Sequence, residues 1–279
     1  MAKTATKAPA KGKTEVAVKP KNAVTTDVSL LMEQDAGMGV STDMADNIVP
    51  LVYILQAQSP QVLKQKPEFL KDAHGKGKPA VAGNIWLRGE KVAWDGEEEG
   101  AEFVPIHFDK CWIEWRPNRG GFVARHKERP VEAVQKALDP QKPDRMSWVL
   151  PSGNIVQESR EHVGFILGKT EEPIPCVVPM TGSNHGSSRA FMGLMNRKRT
   201  PKGNKSPSFA YKYLLKTIAK SNDDGDWYGY VVEDTGEQVE PEVYLAARGI
   251  ALDFRSGKLK SADHDDAVVT DADGADEGI

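Results

Sequence analysis

The chain has 279 residues, 37 Lys and Arg against 40 Asp and Glu, 39% hydrophobic residues and a formal charge of −3. Its mean hydropathy is −0.50, and no apolar run approaches the roughly 18 residues that span a bilayer, which excludes a membrane-spanning helix. Two cysteines, Cys111 and Cys176, allow neither a disulfide framework nor a zinc site built from three or four thiolates, so a reducing, cytoplasmic setting is expected.

The near-neutral total hides a segregation of charge along the chain. Residues 1–24 hold six Lys and one Glu among Ala, Thr, Pro and Val, a basic arm that cannot form a core and is expected to be disordered. They lack the continuous apolar stretch of a secretory signal and the arginines of a transit peptide. Residues 25–44 read as a short helix at Val28–Met32 and a linker. At the other end, residues 257–279 read as an acidic, disordered tail, with six Asp, one Glu and no Arg beyond residue 260. With both tails removed the remainder is balanced, so a nucleic-acid-binding face has to be a local patch.

Between the tails, residues 45–256 read as one antiparallel α+β domain. A β-branched run from Asn47 closes at Ser59-Pro60, with Pro50 placing its start at an edge or a bulge. Arg88-Gly89-Glu90 separates two short runs as a hairpin does, and three strands follow at Glu102–Phe108, Cys111–Arg116 and Gly121–His126. Residues 131–138, bounded by Pro130 and Pro140, read as a short helix. Pro151-Ser152-Gly153 marks a second hairpin, and 162–167 with 176–180 a strand pair. Ser187 or Ser188 is placed to cap a helix whose apolar face carries Phe191, Leu194 and Met195. A last hairpin turns at 222–225, and Pro241 opens a final helix. Hairpins without βαβ alternation predict a mainly antiparallel curled sheet or partly open, OB-like barrel with a few short helices.

No Walker loop, HxH or HExxH occurs, so neither nucleotide hydrolysis nor a metal site with local ligands is indicated, and no cofactor or metal is expected. Single strands of nucleic acid are held by cations that track phosphates and aromatic rings that stack on bases. Both recur here. The segment around Trp112, Trp115, Arg116, Arg119 and Arg125 interleaves them, as do Tyr211, Lys212 and Tyr213 with Trp227 and Tyr230 across the hairpin. Arg197, Lys198, Arg199, Lys202 and Lys205 form a basic run with Pro201 and Gly203, the composition of a flexible loop. The acidic tail, through Asp271, Asp273, Asp276, Glu277 and the terminal Ile279, can compete for a cationic groove or recruit partners.

Across NIVPLVYILQAQSPQV, IWL, FVPIHFDKCWIEWRPNRGGFVARH and KYLLKTIAKSNDDGDWYGYVV the chain resembles an uncharacterised family of tailed-phage and prophage proteins. The resemblance implies a phage protein of the host-cell cytoplasm, placed among replication or recombination genes. The layout of β-rich domain plus acidic tail is also similar to that of phage single-stranded-DNA-binding proteins, although those end in an aromatic residue and this chain ends in Ile279. The leading expectation is a non-enzymatic single-stranded-DNA-binding protein whose tail contacts replication or recombination proteins. One alternative is a virion or assembly protein whose tails bind other proteins. Another is a nucleic-acid-processing enzyme with a spatially assembled site, for which Asp109, Glu114, His107 and His126 are the first candidates.

Overall fold

The computed structural model describes residues 49–75, 77–117, 121–138, 140–142, 146–168, 172–223 and 225–259. The basic arm, the helix at Val28–Met32, Arg119 and the acidic residues of the tail lie outside them. Among the described residues eleven strands form two antiparallel sheets, and neither closes into a barrel. The small sheet orders β1 (Val52–Ile54), β2 (Ile85–Leu87) and β3 (Ala93–Trp94), with the Arg88-Gly89-Glu90 turn joining the last two.

The large sheet is built on β4 (Ala101–Trp115), which pairs with β8 (Ile155–Ile166) along nearly its whole length. The two strands expected at Glu102–Phe108 and Cys111–Arg116 are this one strand, because pairing with β8 carries the ladder through Asp109 and Lys110, opposite Glu161 and Arg160. A register shift falls between Pro105 and His107, where the proline has no N–H to give the ladder. On its other edge β4 pairs with β5 (Phe122–His126) and with β10 (Tyr211–Asn222), and β10 with β11 (Gly225–Gln238). Beyond β8 lie β7 (Met146–Val149) and β6 (Val134–Ala137) on one path and β9 (Ile174–Thr181) on another. The helix expected at 131–138 is therefore wrong: a segment of eight residues between prolines is too short to sustain a helix, and pairing with β7 takes up its backbone groups instead.

Among the described residues two α-helices flank the sheet. The first, α1 (His185–Arg197), follows a 3-10 turn at Gly182–Asn184 and lays Phe191 and Met195 on Phe103, Val178, Met180 and Tyr213. Ser187 and Ser188 are not its caps. They sit inside the helix, where Ser187 donates to the Tyr230 carbonyl and Ser188 bonds to His162. The second, α2 (Pro241–Ser256), starts at a proline and stops at Gly257, whose left-handed backbone (φ 76°) lets its N–H reach the carbonyls of Asp253 and Phe254. Its Ala247, with Val243 and Ile250, packs on Val104, Ile106 and Phe165. Phe103 and Val104 are consecutive on β4, so α1 and α2 cover opposite faces of the sheet.

Candidate nucleic-acid interface

Strand alternation along β4 and β8 decides which chemistry-bearing side chains can meet. Asp109, Cys111 and Glu161 share the α2 face with Arg125, whereas Lys110, Trp112, Glu114, Glu158 and His126 share the α1 face. The four residues considered for an assembled carboxylate and imidazole site are thereby divided. Glu114 accepts from Asn154 and pairs with His126 at 2.7 Å on one side, while Asp109 and His107 lie on the other, where the His107 ring stacks on Phe254. Among the described residues no group of three or more His, Cys, Asp or Glu is placed to hold a metal ion.

Several of the predicted contacts are committed to the protein itself. Tyr213 is fully buried in the core, and Tyr230 is buried with its hydroxyl donating to the Val52 carbonyl at 3.0 Å, so neither ring offers a face to a base. Strand patterning could not separate them from Tyr211, which is half-buried at the sheet's end. Arg125 donates to Asp109 and to the buried Glu161, both at 2.9 Å, with only 12% of its side chain exposed. Burial opposes its charge, but Glu161 outweighs that and holds the guanidinium above its ordinary value. Burial, then Glu161, pushes the Cys111 thiol up as well, and the sulfur donates to that carboxylate. Lys212 pairs with Glu240 at 2.7 Å, and that hydrogen bond raises its pKa. Lys198 lies over the Tyr211 ring and pairs with Asp234 at 2.7 Å. Burial alone pushes the Asp234 carboxyl up; the bond from Lys198 brings it below the usual range.

Other predicted residues are accessible. Arg197 and Arg199 are exposed, as are Lys202 and Lys205, which make no ion pair among the described residues. The loop expected to be flexible is a closed turn: Arg199 bridges to Lys205, Thr200 donates its N–H to the Asn204 carbonyl at 2.8 Å, and Gly203 takes a left-handed φ of 82°. Arg116 is exposed at the end of β4. Trp115 meets Phe122 edge-on, on the α2 face, and Trp227 is half-buried in a shallow cleft with Tyr53, Gln56 and Tyr228. Trp112 is half-buried on the α1 face, packed edge-to-face against Trp148, and Arg129 lies 3.6 Å over the Trp148 ring.

Arg129, Trp148 and Arg189 complete the surface and were missed by the strand-by-strand reading. Arg189 is exposed on the outer side of α1. A signal for this face was present: residues 173–222 contain nine Lys and Arg and no Asp or Glu. Lys212 and Lys216 of β10 meet carboxylates of β4, β11 and the start of α2: Glu102, Glu233 and Glu240. Lys198 pairs with Asp234, and the charge of Arg197 also acts on that carboxylate, whereas Arg189, Arg199, Lys202 and Lys205 make no ion pair among the described residues and form a cationic ridge. The tryptophan pair flanks the other end of α1, where His185 bonds to the carbonyl of Glu158, the residue opposite Trp112. Thirteen residues of helix separate the two ends by about 20 Å, the span of roughly six stacked nucleotides.

No helix among the described residues is long and apolar enough to cross a membrane. No curated protein and no solved structure matches the chain. A family model does, over residues 20–260: that of the Pam3 phage gp34-like proteins.

Proposed function

Because the chain belongs to the Pam3 phage gp34-like protein family, we propose that it is a phage protein that binds single-stranded DNA without cleaving it and serves replication or recombination. The observation that carries this reading is the ridge of Arg189, Arg199, Lys202 and Lys205 in a stretch free of acidic residues. Cations left without carboxylate partners attract a polyanion at little desolvation penalty, since their charge is not already neutralised. The Trp112–Trp148 pair on the same side of the sheet supplies ring surface for bases, each stacked base contributing roughly 1–3 kcal/mol. Arg129 covers the Trp148 face and takes the place a base takes when the strand arrives; the displaced guanidinium is then free for a phosphate.

The test is the fluorescence anisotropy of a labelled ~30-nucleotide single strand titrated with the full chain at several salt concentrations. Binding is expected to weaken with salt, with a log-log slope near −0.7 for each neutralised phosphate. Replacing Arg199, Lys202 and Lys205 together by Ala is expected to flatten that slope by about 2. A salt-independent response, or a triple variant with the parent slope, overturns the reading.

A further inference from the structure

The large sheet treats its two outer strands differently. On β11 the outward backbone groups are capped by side chains: Gln56 donates to the Tyr228 carbonyl and accepts from the Tyr228 N–H, Asn184 accepts from the Tyr230 N–H, and Ser187 donates to the Tyr230 carbonyl. On β6, the other end of the path, the strand pairing of Val134–Ala137 among the described residues is to β7. Val134, Leu138 and Met146 are exposed along this edge, and Lys136 is exposed without an ion pair among the described residues. An open edge with an apolar flank is a template for another strand.

Register and charge indicate which strand. Through β7, Val134 is level with Ile155, and β6 runs in the same direction as β8. Toward the far end of β8, Phe254 of α2 packs with Val163, and Leu259 bonds back to the Asp253 carbonyl. The chain beyond Leu259 thus approaches β6 from its Ala137 end. Its 20 residues contain one run of three β-branched residues, Val268-Val269-Thr270, preceded by Asp265 and Asp266. We propose that Asp265–Val268 of the chain's own acidic tail pairs antiparallel with β6. In that register Val268 stands opposite Val134 and Asp266 opposite Lys136 on one face, with Ala267 opposite Gln135 on the other. Sliding the tail by one residue loses the valine contact in one direction and the ion pair in the other, so one register is selected. From Val163 to the edge beside Val134 is about 26 Å along β8 and about 14 Å across three strand spacings, a diagonal of about 30 Å. The nine steps from Leu259 to Val268 extend about 30 Å, so the tail arrives as an extended strand. Asp271–Ile279 stay outside the ladder, and the pairing is independent of the DNA reading.

Amide hydrogen exchange of the full chain, without nucleic acid and over a roughly tenfold concentration range, tests it. Val268→Pro removes an N–H and disfavours the strand, and is expected to speed exchange at the outward amides of β6 about tenfold. Lys136→Glu is expected to speed it about threefold or more, and the paired reversal Lys136→Glu with Asp266→Lys to restore it. Circular dichroism checks that these variants remain folded. Equal exchange at β6 in the parent and in Val268→Pro overturns the proposal. Protection that grows with protein concentration also overturns it, because the strand then comes from another copy. Indifference to Lys136→Glu, or failure of the paired reversal to restore protection, overturns the register.

Discussion

His162 is enclosed between the rings of Phe108 and Phe191, with its Nε2 bonded to Ser188 at 2.9 Å. Burial, and secondarily the charge of Arg160, holds its pKa at about 3 rather than the ordinary 6.5. In the unfolded chain the same imidazole takes up a proton as pH falls through about 6.5. Between those two values the unfolded state binds more protons, so stability rises with pH there. The contribution is complete above pH 6.5 and is lost toward pH 3, at up to about 1.4 kcal/mol per unit. His162→Gln keeps a partner for Ser188 and does not titrate. Its unfolding free energy, measured by urea titration between about pH 4 and 6, is expected to depend on pH less steeply by one proton. An unchanged slope removes His162 from the account of acid sensitivity. Nothing in the sequence marked this residue, because a histidine in an apolar strand declares its burial only once Phe191 from α1 closes over it. The same holds for Tyr213 and Tyr211, two positions apart on one strand face, of which only the first lies under that helix.

The hairpins were legible because turn chemistry is local. Gly89, Pro151-Ser152-Gly153 and the Asn222–Gly225 turn lie where the chain reverses. What joined or replaced elements was not local: β4 runs through Asp109 and Lys110 because β8 lies beside it, and β6 is a strand because β7 pairs with it. Capping of β11 is likewise invisible in sequence, since Gln56 is 172 positions from Tyr228. Gln56 is buried, and its amide satisfies a backbone N–H and a carbonyl that no neighbouring strand reaches. Gln56→Ala removes both partners at once, and a buried polar group left unpaired costs roughly 1–3 kcal/mol. The variant is expected to lose about 2 kcal/mol or more in urea unfolding, with faster amide exchange at Tyr228. A neutral effect with parent exchange at Tyr228 shows that water replaces the side chain and that this edge is not held by Gln56.

At the scale of the molecule, charge rather than fold organises the chain. The acid-free stretch from 173 to 222 was readable as a count, but which of its cations remain available depends on β11 and α2 supplying carboxylates to Lys198, Lys212 and Lys216. The same chain carries a second charged feature, residues 261–279, with six Asp and one Glu. A covalently attached polyanion competes with an external one at an effective concentration set by the length of chain between them. Removing it also raises the formal charge by seven, which strengthens attraction to any polyanion whatever the contact. A double-mutant cycle separates the two effects. A chain ending at Lys260 is expected to bind the ~30-nucleotide strand more tightly than the full chain at low salt. The gain is expected to shrink as the screening length falls from about 10 Å at 0.1 M toward about 3 Å at 1 M. If the tail acts by occupying the ridge, truncation gains little once Arg199, Lys202 and Lys205 are Ala. If it acts only through net charge, truncation improves the triple variant by the same factor as the parent, and occupation of the ridge is refuted.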